Sequence, residues 1–169
     1  QVRDYKTIVI YLYGVPGCGK SRLAKDIANN IYPSCVPYYK TKGMWWDMYS
    51  NEPVVIWDDY RGDCYECQEL FKLCDRYPYK VQIKGSYMNF NSKLIIFTSN
   101  ICHTMLYKSD KGLPFTRRIE VNDKILSFDG VSVNFIRDEP IFYRRSDDII
   151  TTVLGVDIYI SYVKQLLQI

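Results

Sequence analysis

A run of eight residues near the start of the chain has the composition and spacing of a phosphate-binding loop. It consists of Gly14, Val15, Pro16, Gly17, Cys18, Gly19, Lys20 and Ser21. The run fits the pattern Gly, any four residues, Gly-Lys-Ser, in which glycines let backbone N–H groups approach phosphate oxygens closely. In that pattern the lysine neutralises the β and γ phosphates, and the serine ligates Mg²⁺. We therefore expect a nucleoside triphosphate site that uses ATP and Mg²⁺.

Polar side chains follow two apolar runs further along the chain. Asp58 and Asp59 come directly after Val54–Trp57, and Asn100 comes after Lys93–Ser99. We expect Asp58 to hold Mg²⁺ through water, together with Ser21, and Asp59 to polarise an attacking water that Asn100 orients. The alternatives are a solvated strand end for the two acids and a capping or turn role for Asn100.

The elements that must position these residues alternate between strands and helices. Apolar residues recur at helical spacing from Lys20 to Ile31, and again from Cys67 to Cys74. The stretch Tyr79–Phe90 alternates around a glycine and indicates a hairpin. Short strands are expected near 124–128 and 131–136, and a weak helical pattern covers 157–167. With β-branched and aromatic strands at Thr7–Tyr13, Val54–Trp57 and Lys93–Ser99, this order predicts an α/β fold with a mostly parallel sheet.

Composition narrows the class of protein. The 169 residues carry 47% hydrophobic side chains and a net charge of +3, which suits one globular domain and permits a polyanionic partner without requiring it. No apolar stretch approaches the ~20 residues of a membrane span. We expect an intracellular protein with no membrane partner. Its six cysteines are scattered, as reduced thiols would be.

A GTPase is the first alternative, because Asp59-Tyr60-Arg61-Gly62 also fits the Asp-x-x-Gly of that class. However, no Asn-Lys-x-Asp sequence follows the third apolar run, where the guanine base would be read. A P-loop kinase acting on a small molecule and a degenerate binding module remain further alternatives.

Several motifs taken together carry a family resemblance. The series GVPGCGKS, WW, VVIWDDYRG, LCDRYPYKVQIKGS, IIFTSN and FTRRIE spans about Ile8 to Glu120. In this order it resembles the superfamily 3 helicase domain of replication-initiator (Rep) proteins of circular single-stranded DNA viruses, circovirus-like ones in particular. The resemblance implies an α/β P-loop NTPase domain of AAA+-like, three-layer architecture. It also implies a hexameric, ATP-driven translocase that works on single-stranded nucleic acid in the host nucleus.

The same resemblance assigns roles to a loop and to an arginine pair. Residues matching Lys84 and Gly85 grip phosphates in the central channel, and an arginine matching Arg117 or Arg118 completes the neighbouring subunit's ATP site. From the residues alone, Lys80 and Tyr87 add charge and stacking to the loop. We also expect one arginine to face outward across a subunit interface while the other pairs with an acid of its own chain. DNA is the favoured partner, with RNA left open, since such a loop reads phosphate rather than base. A plain solvated hairpin and two surface arginines are the alternatives.

Three further expectations concern the remaining residues. Trp45 and Trp46 are expected to pack against the sheet. Cys64, Cys67, Cys74 and His103 raise the question of zinc, but helical spacing favours buried thiols.

We divide the chain into a helicase core, 1–122, and an extension packed on it, 123–169. A single histidine cannot supply the metal ligands of a Rep nicking endonuclease, so that activity is not expected within this chain.

Overall fold

A seven-stranded β-sheet with helices on its faces organises the molecule. The computed structural model describes residues 1–17, 19–63, 65–107, 112–127, 130–135, 140–143 and 160–169. The sheet contains β1 (Ile8–Gly14), β2 (Tyr38–Tyr39), β3 (Val54–Trp57), β6 (Leu94–Ser99), β7 (Val121–Ser127), β8 (Gly130–Phe135) and β9 (Pro140–Tyr143), and a separate hairpin contains β4 (Lys80–Ile83) and β5 (Ser86–Asn89). The helices are α1 (Lys20–Ile31), α2 (Cys67–Leu73), α3 (Gly112–Arg118) and α4 (160–167), and a 3₁₀ turn spans His103–Met105.

The strand order brings the polar strand ends together. Strands lie in the order β2-β3-β6-β1-β7-β8-β9, and the first five are parallel. Because β6 pairs with both β1 and β3, its carboxyl end lies between the end of β1 and the end of β3. Ligand sites in open α/β sheets form at this edge. The predicted α/β fold with a mostly parallel sheet is confirmed.

Two hydrophobic cores lie on opposite faces of the sheet, because successive strand side chains point to opposite sides. The first core packs α1 and α4 against alternate residues of β1, β3 and β6. The second core is rich in aromatic rings and holds α2, α3 and the hairpin. Burial of each large apolar side chain stabilises the fold by roughly 1.5–3 kcal/mol. The two cores therefore hold helices against both faces of the sheet. Helices on both faces make the domain three-layered.

Most predicted elements appear within two residues of their expected bounds, including the loop helix and the hairpin. Three short elements, β2, α3 and β9, were not predicted from the sequence. Strand β7 pairs with β1 and begins before residue 123, so the sheet continues across the proposed division of the chain. That division remains a prediction. Within the described ranges, every helix is too short or too polar to cross a lipid bilayer.

Candidate functional site

The predicted phosphate loop connects β1 to α1 at the sheet edge where the parallel strands end. Gly17 has a φ of 79° and Gly19 a φ of 98°. Residues with a Cβ avoid this left-handed region, at a cost of about 1–2 kcal/mol, so the glycines are required by the path of the backbone. Cys18 lies outside the described residues.

The amino end of α1 has no acidic residue of its own. Gly19 provides no side-chain cap, and the first turn contains no acidic residue. By contrast, α2 begins at Glu66, whose carboxylate accepts hydrogen bonds from the backbone N–H groups of Gln68 and Glu69 at 3.1 and 3.0 Å. The first N–H groups of a helix have no intrahelical partner and carry a partial positive charge. The end of α1 is therefore suited to an anion such as phosphate.

Lys20 and Ser21 occupy the first turn of α1 and face different partners. Lys20 is only 8% exposed, and its ammonium donates to the carbonyl oxygen of Val15 within the loop at 3.3 Å. The Ser21 hydroxyl donates to Asp58 Oδ1 at 2.8 Å, which joins the loop helix to the end of β3. Hydroxyl and carboxylate oxygens are the hard ligands that Mg²⁺ prefers. The residues present therefore fit the predicted magnesium site.

Asp59 lies beside Asp58 but points to a different neighbour. Its backbone has a φ of 52°, in the left-handed region. Its carboxylate forms an ion pair with Arg61 at 3.2 Å, and both side chains are about half exposed, at 50% and 53%. Exposed pairs of this kind contribute at most about 1 kcal/mol, so the carboxylate remains open to exchange partners. Arg61 was not among the residues predicted for the site.

The residue that connects the two acids was also missed. Thr98, on the buried strand β6, donates its hydroxyl hydrogen to Asp58 Oδ1 at 2.6 Å and accepts from the Asp59 backbone N–H at 2.9 Å. A polar side chain after the apolar run Leu94–Phe97 was the available signal. Asn100 follows at the exposed end of β6, between the loop and the acids.

The two arginines of α3 have different surroundings. Arg118 pairs with Asp75 at 3.0 Å, donates to the carbonyl of Pro114 at 2.8 Å and lies over the ring of Phe71. Arg117 is exposed, and its side chain makes no hydrogen bond or ion pair within the described part of the chain. Among the described residues, neither arginine forms an ion pair with Asp58 or Asp59. Arg117 is therefore the arginine available to another molecule.

The hairpin of β4 and β5 presents the predicted nucleic-acid contacts on the face of the sheet opposite α1. Lys84 and Gly85 form its two-residue turn, and Gly85 has a φ of 81°. Lys80, Lys84 and Tyr87 are all exposed. The structure thus groups the four predicted residues on one hairpin and separates them from the phosphate loop.

The prediction that both tryptophans pack against the sheet is wrong for Trp45. Trp46 is fully buried, whereas Trp45 is 50% exposed. The backbone N–H of Trp46 donates to the carbonyl of Gln82 at 2.8 Å, which fixes this segment along the hairpin. In an extended segment adjacent side chains point opposite ways, so burying one ring turns the other outward. Trp45 lines a cleft of about 210 Å³ whose other walls are Gln82, Ile83, Gly85, Ser86 and Tyr87.

Three of the four residues considered for zinc, namely Cys67, Cys74 and His103, lie in the described part of the chain. Cys67 and Cys74 are free thiols, and Cys64 lies outside the described residues. Burial raises the pKa of Cys74 to about 12, so this thiol stays protonated. His103 is buried beside α3, where its Nδ1 lies 2.9 Å from the hydroxyl of Thr116. No cluster of three His, Cys, Asp or Glu residues suited to a metal occurs in the described part of the chain.

Comparison with known proteins adds the family. The model of the family described as RNA helicase matches residues 10–101, more than half of the chain. The chain is 48% identical over 108 residues to the replication-associated protein of beak and feather disease virus, covering 64% of this chain and 35% of the relative. It is 47% identical over 122 residues to that of human associated cyclovirus 1, covering 70% and 43%. It is 51% identical over 100 residues to that of pigeon circovirus, covering 59% and 29%.

The matched region begins within β1 and ends just after Asn100, so it contains the loop, both acids and the hairpin. The chain spans less than half the length of each of these relatives. The resemblance to circovirus-like Rep proteins, drawn from the ordered motifs, is confirmed by these matches. The chain belongs to the RNA helicase family, in the form found in circovirus-like replication-associated proteins.

Proposed function

We propose that this chain hydrolyses ATP with Mg²⁺ and uses the reaction to move along single-stranded nucleic acid. The observation that carries the proposal is the hydrogen bond between Ser21 and Asp58, 2.8 Å long, at the amino end of α1. It joins two oxygen ligands suited to Mg²⁺ at a helix end that attracts phosphate. A loop that only bound an anion would not need the acid on β3.

The side chains around this pair support hydrolysis. Bound Mg²⁺ would neutralise charge on the phosphates, while Lys20 contacts their oxygens and Ser21 and Asp58 hold the metal. Asp59 accepts a proton from, or orients, the attacking water, and Asn100 fixes that water from the neighbouring strand end. The exposure of Asp59 and Asn100 supports these roles, since both must reach a molecule that enters from solvent.

The hairpin supports a nucleic-acid partner. Lys84 and Lys80 supply positive charge for a phosphate backbone, and Tyr87 with Trp45 offers exposed rings on which bases stack. Trp45 and Tyr87 line the same cleft on the hairpin, so two rings are available there to neighbouring bases. DNA is favoured over RNA because the relatives at 47–51% identity include replication-associated proteins of circoviruses and a cyclovirus.

A second subunit is part of the proposal. Arg117 is exposed and has no partner among the described residues of its own chain, so it is free to reach the phosphates of an adjacent copy. An arginine supplied in this way accelerates phosphoryl transfer by roughly 10³–10⁵ in other NTPases. We propose a homo-oligomer, a hexamer in the full-length protein, acting in viral genome replication in the host nucleus.

The test measures ATP hydrolysis against protein concentration, with and without single-stranded DNA. We expect the rate per chain to rise with concentration, because sites are shared, and to rise further with DNA. Parallel reactions with single-stranded RNA and with GTP test the choice of polymer and base. A rate that neither single-stranded DNA nor single-stranded RNA raises would favour the alternative of a GTPase or small-molecule kinase.

Lys20→Ala is the loss-of-function variant, and Lys25→Ala is its matched control. Both lysines lie on α1, but Lys25 is exposed and away from the loop. We expect Lys20→Ala to abolish turnover and Lys25→Ala to retain it. Asp59→Asn should bind nucleotide normally, but its rate of ATP hydrolysis should fall about 10²–10⁴-fold, the range for a positioned acid–base group. Normal hydrolysis by Asp59→Asn would contradict its assignment.

A further inference from the structure

We propose that Thr98 is a positioning residue that sets the arrangement of both acids through a single hydroxyl group. This proposal rests on the proposed hydrolysis, but it makes a structural claim that can be tested without it. The hydroxyl donates to Asp58 Oδ1 at 2.6 Å and accepts from the Asp59 N–H at 2.9 Å. A hydroxyl has one hydrogen to donate and two lone pairs to accept, so one group serves both acids.

The strand register explains how Thr98 reaches the acids. Strand β6 pairs in parallel with β3, with Phe97 opposite Trp57, so the next pair along the strands is Thr98 beside Asp58. Leu94 and Ile96, which share a strand face with Thr98, contact the core beneath α1. Thr98 is itself fully buried. Packing alone would favour an apolar β-branched residue at this position.

The hydrogen bond from the Asp59 N–H to Thr98 supports a backbone conformation that is unfavourable for Asp59. Its φ of 52° places it in the left-handed region, which costs a residue with a Cβ about 1–2 kcal/mol. Two hydrogen bonds to Thr98 hold the backbone at Asp59 in this conformation. The Thr98 hydroxyl accepts from the Asp59 N–H, and the Thr98 carbonyl oxygen accepts from the Tyr60 N–H at 2.7 Å. The turned backbone separates the side-chain directions of Asp58 and Asp59. The first can then meet Ser21 while the second faces solvent.

The hydroxyl also constrains the proposed magnesium ligands. Asp58 Oδ1 accepts from both Ser21 and Thr98, so the Thr98 bond fixes the carboxylate in the orientation that meets Ser21. Outer-shell hydrogen bonds of this kind are worth about 10–100-fold in metal affinity or activity when removed. Thr98 thus acts on the reaction through Asp58 and Asp59, without touching the substrate.

The experiment compares Thr98→Val with Thr98→Ser in the full chain, using amide hydrogen exchange and ATP hydrolysis. Valine keeps the branched shape and removes the hydroxyl, whereas serine keeps the hydroxyl and removes a methyl group. In Thr98→Val we expect the Asp59 amide to exchange at least about tenfold faster. The Tyr60 amide is the internal control, because its bond to the Thr98 carbonyl remains in every variant. Hydrolysis should fall about 10–100-fold in Thr98→Val through kcat, and Thr98→Ser should restore most of it.

The two readouts separate failure of this proposal from failure of the proposed function. Unchanged Asp59 exchange in Thr98→Val, or a loss in Thr98→Ser as large as in Thr98→Val, would overturn the positioning role. Normal hydrolysis by a folded Thr98→Val protein would overturn it as well. If the unmodified chain hydrolyses no ATP with any polynucleotide, the proposed function fails, while the exchange comparison still decides the role of Thr98.

Discussion

Arg118 is bound to Asp75 of its own chain, with 3.0 Å between guanidinium and carboxylate. The pair is largely shielded, since the two side chains are only 28% and 21% exposed. It ties the end of α3 to the segment that follows α2. The partnership leaves Arg117, the next residue back along α3, as the arginine that points away from the molecule.

Replacing Arg118 with alanine should therefore destabilise the fold. The change removes a charge-assisted pair, a bond to the Pro114 carbonyl and the packing of the guanidinium on the Phe71 ring. We expect a loss of about 2 kcal/mol in the free energy of unfolding by urea. Arg117→Ala is the matched control and should unfold at the unmodified midpoint, because its side chain is exposed. Equal stability of the two variants would contradict the assigned roles.

Arg117→Ala should instead reduce hydrolysis in a way that a second chain can repair. Mixed with Lys20→Ala, it forms sites in which one chain supplies Lys20 and its neighbour supplies Arg117. We expect each variant alone to be nearly inactive and the mixture to recover a measurable fraction of the unmodified rate. The readout is ATP turnover at a fixed total protein concentration. If mixing restores nothing, Arg117 does not act across a subunit boundary.

The sequence predicted what depends on local patterns. The phosphate loop, its helix and the acids after β3 follow from spacing within a few residues, and the structure has these elements in place. The link from Thr98 to Asp58 joins residues 40 positions apart and depends on which strands are neighbours in the sheet. The partner of Arg118 is 43 positions away. Because adjacent side chains of an extended segment point to opposite sides, only one of two adjacent tryptophans is expected to be buried. Which of the two is buried depends on how the segment pairs with the hairpin, and the sequence does not show that pairing.

Lys84→Ala should weaken single-stranded DNA binding through charge. Lys84 lies exposed at the hairpin turn, where removal of its side chain leaves the core packing intact. For each phosphate that the variant no longer neutralises, the slope of log affinity against log salt should become shallower by about 0.7. Fluorescence anisotropy at several salt concentrations measures this slope. Lys25→Ala, on the opposite face of the sheet, should leave it unchanged, and an unchanged slope for Lys84→Ala would exclude binding of a phosphate by this lysine.

Trp45→Ala should weaken the same complex without changing its salt dependence. The ring of Trp45 is 50% exposed in a cleft shared with Tyr87, and stacking on a base involves no counterion release. We expect a loss of about 1–3 kcal/mol in binding free energy at every salt concentration, the range for one stacked base. Trp45→Phe should retain much of the affinity. Tyr77→Ala, at another exposed aromatic residue, serves as the control. A loss of affinity that varies with salt concentration would contradict stacking. It would indicate that Trp45 positions a nearby cationic side chain against a phosphate.

His103 follows Asn100 closely along the chain and forms a hydrogen bond with Thr116 on α3, the helix that carries Arg117 and Arg118. The Thr116 hydroxyl has a single hydrogen, which it donates to the Gly112 carbonyl at 3.1 Å. It must therefore accept from His103, which puts the proton of the neutral imidazole on Nδ1. Burial lowers the pKa of His103, because the charged form is poorly solvated there.

Stability should fall as the pH drops below the ordinary histidine pKa of about 6.5, because the unfolded chain then binds a proton that folded His103 resists. The loss continues until the pH passes the lowered pKa of the folded state. Urea unfolding at pH 7.5 and 5.5 measures the effect in the unmodified chain and in His103→Asn, whose amide can still donate to Thr116 but does not titrate. The variant should be less stable at pH 7.5, because the imidazole no longer packs edge-on against the ring of Tyr11, yet it should lose less on acidification. An equal loss in both proteins would assign the acid sensitivity to other groups.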